Sequence, residues 1–170
     1  PTLGRKLDFA ELPSSYEAFL ATRSGQFRRQ IQKRVRQLEA AGRFQIDRLS
    51  GEELVLAVPE WQSIVARSWQ GQDGKAPGGN TASDWHLHQA LTRNGYLWLA
   101  RLDNQPIAAL RMLEDRKAAY VHTMHFDQAL SAHAPGLVLF DAMMRDACAR
   151  KVPKVDFNGT SEFFSRWATG

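Results

Sequence analysis

His122 and His125 stand three residues apart in the run AAYVHTMHF, and Asp127 follows directly after it. Asp156 comes later, in KVDFNG, just ahead of Asn158 and Gly159. An imidazole titrates near neutrality, so either histidine could take a proton from an ammonium group, directly or through water. The carboxylate of Asp156 could do the same or hold the ammonium. Its plainer role is to cap the loop at Asn158-Gly159, and Asn158 could orient a ligand or only hold that turn. A different chemistry lies between them. Ala134-Pro135-Gly136 opens GLVLFDAMMRDACAR, which reads as a helix. The first turn of a helix has free backbone N–H groups at the positive end of the dipole. It suits a phosphate, so a cofactor is expected there. Pro-Gly also has a simpler reading, as nothing more than a helix start. His86 and His88 are two apart, whereas two ligands on one helix face need a spacing of four. No metal site is expected.

The strand that carries the histidines sets a difficulty. Strict alternation puts Tyr120, His122, Met124 and Phe126 on one face and Val121, Thr123 and His125 on the other. The two histidines then serve opposite sides of a sheet unless a bulge intervenes. Of the aromatic residues, Trp85, Trp98, Trp167 and Tyr120 follow the apolar pattern and are expected mostly in the core.

Elements that could position these groups follow from periodicity. Residues 1–13 read as a loosely held opening. Ser14 and Glu17 have capping-box spacing for a short helix ending near Ser24-Gly25. Phe27, Ile31, Val35 and Leu38 form one apolar stripe, predicting a helix from Gln26 to Ala41 that stops at Gly42. Its other faces carry Arg28, Arg29, Lys33, Arg34 and Arg36 with no acid before Glu39. Such a face is either solvated or in contact with phosphates, and no nucleic-acid motif accompanies it. Phe44 to Leu49 alternates as a strand. Ser50 opens a third helix, with Pro59 predicting a kink or split. Gly71 to Asp84 is glycine-rich and reads as a substrate-side lid or, equally, a tolerated surface insertion, followed by a helix over Trp85 to Arg93. Tyr96–Leu102, Pro106–Leu113 and the strand from Ala118 form an antiparallel meander. The helix from Gly136 then crosses to a strand at Lys154–Phe157, parallel to the last. Ser161 to Trp167 closes with a short helix. The expected fold class is α/β, a mixed and mostly antiparallel central sheet flanked by helices. Residues 1–23 form an opening segment and 24–170 one domain.

The bulk properties are permissive. The 170 residues include 44% hydrophobic and 24% charged side chains, which excludes wholesale disorder. Net charge is +4, suited to a phosphate-bearing partner. One cysteine, Cys148, rules out an internal disulfide, and its apolar helical setting favours packing. No run approaches the ~20 apolar residues of a membrane span. The start, PTLGRKLDF, lacks the apolar core of a signal peptide. A cytoplasmic protein is expected. Starting at Pro1 and ending soon after Trp167, the chain reads as a piece of something longer.

This layout resembles the GNAT superfamily of acyl-CoA N-acyltransferases, and within it the CelD/BioF2-like branch related to the FemAB peptidoglycan aminoacyltransferases. SGQFRRQIQKRVRQLEAAGRF is similar to that branch's serine-then-basic helix. YLWLARLDNQPIAALRML is similar to its strand, turn and strand, and AYVHTMHFDQALSAHAPGLVLFDAMMRDACARKV to its Y…YD…SPG-helix segment. KVDFNGTSEFF is similar to its closing D-F-x-x-G segment. The resemblance implies acetyl-CoA or another acyl-CoA lying against the strand, with its pyrophosphate at Ala134, Gly136, Leu137 and Val138. It implies an amine acceptor, either a small molecule or a glycan or cell-envelope precursor, near Tyr120 and Asn158. His122, His125 and Asp156 are then the candidate bases. A FemAB-like reading with aminoacyl-tRNA as donor is the alternative, the one in which nucleic acid has a part. A non-catalytic binding domain is the third. Oligomeric state is left open, with a homodimer allowed. Three departures matter, of which the turn Asp103-Asn104-Gln105 in place of Asp-Gly is neutral. Ala134 stands where the branch has Ser, so a hydroxyl contact to phosphate is lost. Phe163-Phe164 stands where it has Tyr-Lys, so a role carried by that pair does not transfer.

Overall fold

A computed structural model of the chain describes residues 7–72 and 95–170. The expected helix over Trp85–Arg93, with His86 and His88, lies outside the described residues. So does the glycine-rich segment beyond Gln72.

Six strands form one sheet in the order β1-β6-β5-β4-β3-β2. β2 (Phe44–Leu49), β3 (Gly95–Leu102), β4 (Gln105–Glu114) and β5 (Ala119–Phe126) are antiparallel neighbours. β6 (Lys154–Asp156) runs parallel to β5, as the strand–helix–strand order requires. The β3–β4 hairpin turns through Asp103 and Asn104, both left-handed (φ 50° and 65°), the geometry of a two-residue hairpin turn. The carboxylate of Asp103 also accepts the Arg43 N–H at 2.8 Å. That contact explains Gly42 at the end of α2, because any Cβ there would collide with the same carboxylate.

Helices cover both faces of the sheet. α1 (Tyr16–Ala21), α2 (Gly25–Ala41) and α5 (Pro135–Ala149) pack on one side against Tyr96, Trp98, Leu110, Met112 and Val121. α3 (Gly51–Arg67) packs on the other against Leu97, Leu99 and Ala109. β3 therefore buries both of its faces, which is why GYLWLA is apolar without alternation. α3 continues through Pro59 and gives way only at Ser68, before the single turn α4 (Trp69–Gln72), which takes in Gly71. The segment Gln128–His133 forms a 3-10 helix ahead of α5. The closing helix α6 spans Glu162–Ser165.

Two expectations fail at the N-terminus. Ser15, not Ser14, caps α1, accepting the Ala18 N–H at 3.1 Å. Phe9–Glu11 is a strand, β1, paired antiparallel with β6. Three residues are too few to show a period. Their partner lies more than 140 positions away in the chain, where no local pattern reaches.

The two chain ends are joined. Thr169 donates to the Phe9 carbonyl at 2.8 Å and Phe9 donates to that of Gly170 at 3.2 Å. Trp167 is fully buried, edge-on to Phe27 at 4.9 Å and tilted against Phe140 at 5.1 Å. Trp167→Ala is expected to cost about 3–5 kcal/mol in urea unfolding, the range for deleting a core aromatic. A loss below about 1 kcal/mol would mean that the C-terminal segment is not part of the core.

Candidate functional site

The candidate site is where β5 loses its neighbour. β5 has eight residues and β6 three, and they pair only at Ala119–Val155 and Tyr120–Asp156. Beyond that point Phe157 donates to the Asp8 carbonyl at 3.1 Å, so the chain is committed to the β1 side. From Val121 to Phe126 that edge of β5 has no strand partner among the described residues. At the end of this free edge sits the N-terminus of α5. A Cβ on Gly136 would lie 3.5 Å from Phe126 and 3.6 Å from the sulfur of Met124.

The start of α5 differs from expectation in detail. Ala134 is left-handed (φ 47°) and supplies no side-chain cap. The N–H groups of Leu137 and Val138 both donate to the Ala134 carbonyl, at 3.1 and 3.3 Å. Pro135 has no N–H, so Gly136 holds the unpartnered one among the described residues. The expected three-donor cradle is thus one free donor plus two that are shared, because the first turn closes on itself. The basic helix reaches this turn, since Arg34 Nη1 donates to the Ala132 carbonyl at 2.7 Å. Asp127 accepts the Ala129 N–H at 3.0 Å and pairs with Arg67 at 3.3 Å, so it is occupied as a cap.

A bulge brings the two histidines to one side of the sheet. Arg111 pairs with Thr123 and Met112 with Val121, leaving His122 as the extra residue. The bulge reverses the alternation. Tyr120, Thr123 and His125 follow Leu113, Arg111 and Ala109 toward α3, while Val121, Met124 and Phe126 follow Met112, Leu110 and Ala108 toward α2 and α5. Opposite faces were expected for His122 and His125 unless a bulge intervened, and the ladder carries that bulge at His122. His125 is 1% exposed, and neither ring nitrogen has a hydrogen-bond partner among the described residues. Burial, and then the nearby charge of His122, pull its pKa down to about 4. At pH 7 it is neutral and a weak base, whereas His122 is half-buried.

Arg111, also 1% exposed, lies on the same face with its guanidinium 6.0 Å from the Trp61 ring. Burial lowers its pKa to about 10, so it keeps its charge at neutral pH. The sequence signal for it was a lone cation inside the apolar run PIAALRML. A second buried polar group is also new. The Tyr16 hydroxyl donates to Asp141 on α5, and Arg145 lies 3.7 Å from Asp141 and 4.4 Å from the Tyr16 ring. Burial raises the pKa of both Tyr16 and Asp141.

The other candidates have structural partners. Asp156 accepts the Asn158 N–H at 2.8 Å, and Asn158 is left-handed (φ 52°), so both hold the turn after β6. The Tyr120 hydroxyl donates to Asp115 at 3.2 Å, across its own hairpin, and Tyr120 is not a core residue. Cys148 is buried and its thiol pKa raised by that burial, as packing predicts. Phe163 and Phe164 pack on Phe140 and Phe157, each at 5.3 Å, so aromatic packing occupies the Tyr-Lys positions. Among the described residues no group of His, Cys, Asp or Glu is arranged to hold a metal ion, and no helix is long and apolar enough to cross a membrane.

His125 carries a pH signature. The unfolded chain takes up a proton on this ring below about pH 6.5, and the folded chain only near pH 4. Stability therefore falls as pH drops through that window, by about 3 kcal/mol at its fullest. Urea unfolding of the wild type and of His125→Gln between pH 7 and 4 should give diverging curves, with the wild type losing more. Parallel curves would show that His125 is not held neutral.

Residues 25–166 match the family described as acetyltransferase (GNAT) domain. No curated protein sequence matches the chain. Among solved structures it is similar to FemX, with a TM-score of 0.72 at 10% identity over 95% of this chain and 57% of that one. It is similar to L-PGS from Bacillus licheniformis, with a TM-score of 0.64 at 10% identity over 95% and 55%. It is also similar to an aminoglycoside acetyltransferase from an uncultured soil metagenomic sample, solved with trehalose, with a TM-score of 0.52 at 17% identity over 70% and 78%. The chain spans little more than half the length of the FemX and L-PGS structures. These similarities concern the fold, and the family match covers most of the chain: this protein belongs to the acetyltransferase (GNAT) domain family.

Proposed function

We propose that the protein is an N-acyltransferase that moves an acetyl or longer acyl group from acyl-CoA to an amine acceptor, which is a sugar, an amino acid or a cell-envelope precursor. The observation that carries this is the free edge of β5 ending at the start of α5. An unpaired strand edge offers backbone groups to an extended, amide-bearing ligand. The Gly136 N–H at a helix start suits a phosphate. Family membership supports the same reaction class. A cytoplasmic setting belongs to the same proposal.

Bound acyl-CoA would supply a thioester, whose C–S bond is exchanged for a C–N bond to the amine. Ala134, Gly136, Leu137 and Val138 would hold its pyrophosphate. Arg34 would add positive charge through its anchor on the Ala132 carbonyl. The attacking nitrogen must shed a proton, and among the candidate bases His122 suits that task best. It is half-buried beside the free edge, whereas His125 is a weak base and the Asp156 carboxylate is engaged. In this reading Arg111 and His125 keep a fixed positive charge and a neutral ring behind the strand. Tyr120 and Asn158 flank the acceptor where β5 and β6 part. A second reading, with aminoacyl-tRNA as donor, is favoured by the similarity to FemX and by the cationic face of α2.

Acetyl-CoA at a hundred times its Kd should raise folding stability by about 2.7 kcal/mol, seen as a higher melting temperature. A bulky residue at Gly136 would run into Phe126 and Met124, so Ala134→Asp is the better probe. Aspartate tolerates the left-handed backbone, suits a helix start and repels a phosphate. The variant should fold like the wild type and lose the acetyl-CoA shift. An undiminished shift would refute the assigned pyrophosphate site. A salt-sensitive shift with tRNA and none with acyl-CoA would select the second reading, and no response to either would leave a binding domain.

A further inference from the structure

The turn between α1 and α2, the first two turns of α2 and the segment after α6 enclose a cavity of about 430 Å³. Arg23, Gln26, Phe27, Gln30 and Arg166 are in its lining, and no carboxylate is. Two more guanidiniums lie close to Gly25, which stands between the lining residues Ser24 and Gln26. A Cβ on Gly25 would be 3.3 Å from Nη1 of Arg29 and 3.7 Å from Nη2 of Arg28. None of these four arginines has an ion-pair partner among the described residues. Neutral contacts occupy them only in part. Arg23 donates to Thr22 Oγ1 at 3.1 Å and to the Ala168 carbonyl at 2.6 Å. Arg166 donates to Gln30 Oε1 at 3.2 Å, lies over the Phe27 and Phe163 rings at 5.5 and 5.7 Å, and has a buried Nε with no partner among the described residues.

Such an arrangement works against itself without an anion. Four like charges gather at the positive end of α2, whose first turn contains no acidic residue. A solvated cationic face would spread its side chains apart, whereas Arg28 and Arg29 fold back toward Gly25 and Arg23 and Arg166 come from elements on either side. Planar guanidiniums grip phosphate oxygens through paired N–H groups.

We propose that this cavity binds a phosphate group carried on a small organic ligand. A phosphate monoester brings about twice the negative charge of a carboxylate, so it offsets more of the gathered positive charge. The volume falls in the range of small-molecule sites and far exceeds a lone tetrahedral anion. The phosphate enters among Arg23, Arg166 and the Gly25–Gln26 backbone, and the rest of the ligand lies along Gln30 and Phe27. The proposal stands whether or not the acyl donor is a CoA thioester.

Glucosamine 6-phosphate, glucosamine and inorganic pyrophosphate are the probes, titrated into the full chain and followed by calorimetry and amide chemical shifts. The phosphorylated sugar should bind at least about tenfold tighter than glucosamine, and pyrophosphate should bind too. Both should shift amides of Ser24–Gln30 and Arg166. Arg28→Gln with Arg29→Gln leaves all packing contacts of the core intact and should weaken both anions about three- to tenfold. Arg166→Gln should weaken them further while preserving the acetyl-CoA melting shift, if there is one. Equal affinity for the two sugars, no binding of either anion at millimolar concentration, or displacement of pyrophosphate by CoA would overturn the proposal. So would RNA that binds through Arg28 and Arg29 when the small anions do not, since that marks a nucleic-acid surface.

Discussion

The arrangement around the candidate site depends on how few hydrogen bonds β6 can make. It is three residues long and lies between β1 and β5. Two residues of β5 find partners on it, and after Asp156 the chain gives its next N–H to Asp8. Backbone groups of a sheet need partners, from protein, water or ligand. Among the described residues the rest of β5 therefore has no strand partner along an edge that lies within the sheet order rather than at its rim. Short pairing on one side produces an accessible strand edge in the middle of a six-stranded sheet.

Aromatic packing keeps β6 on the β1 side. Phe157, the first residue past the strand, is buried against Phe140 at 5.6 Å and stacks on Phe164 at 5.3 Å. Phe140 belongs to α5, so the helix that ends the free edge also anchors the chain that opens it. The buried contact of Tyr16 with Asp141 fixes α5 from its other flank. Asp141 is itself buried, so removing the phenol of Tyr16 would take away a partner that water cannot readily replace, a costly change. The start of α5 is thus positioned by core contacts within the first two turns of the helix, with no side-chain cap at its own end.

Much of this was legible from the chain. The apolar stripe Phe27–Ile31–Val35–Leu38 located α2, and the strand–helix–strand order gave the parallel pair β5–β6. The resemblance to the GNAT superfamily agrees with the family match. What escaped has a common cause, namely partners distant in sequence. β1 is too short for a period to appear. The bulge at His122 is a feature of two strands, and neither strand alone encodes it in its pattern. Arg111 is a lone cation within an apolar run, and the helix packed over it makes it a buried charge. Gly136 was singled out with Leu137 and Val138, but the donors of those two residues were counted without the Ala134 carbonyl that engages them.

The bulge has a consequence for the lineage of the strand. His122 is the residue of β5 that the ladder with β4 does not count, since Val121 and Thr123 already face consecutive partners. Its deletion would join two segments that are each in register, with every other side chain kept on its face. Removing Val121 or Thr123 would also close the bulge, but it would move the His122 ring into the vacated ladder position, for Val121 one that faces the core. The ladder therefore has room to lose one residue here, and loss of His122 itself is the change that leaves the core-facing Val121 in place.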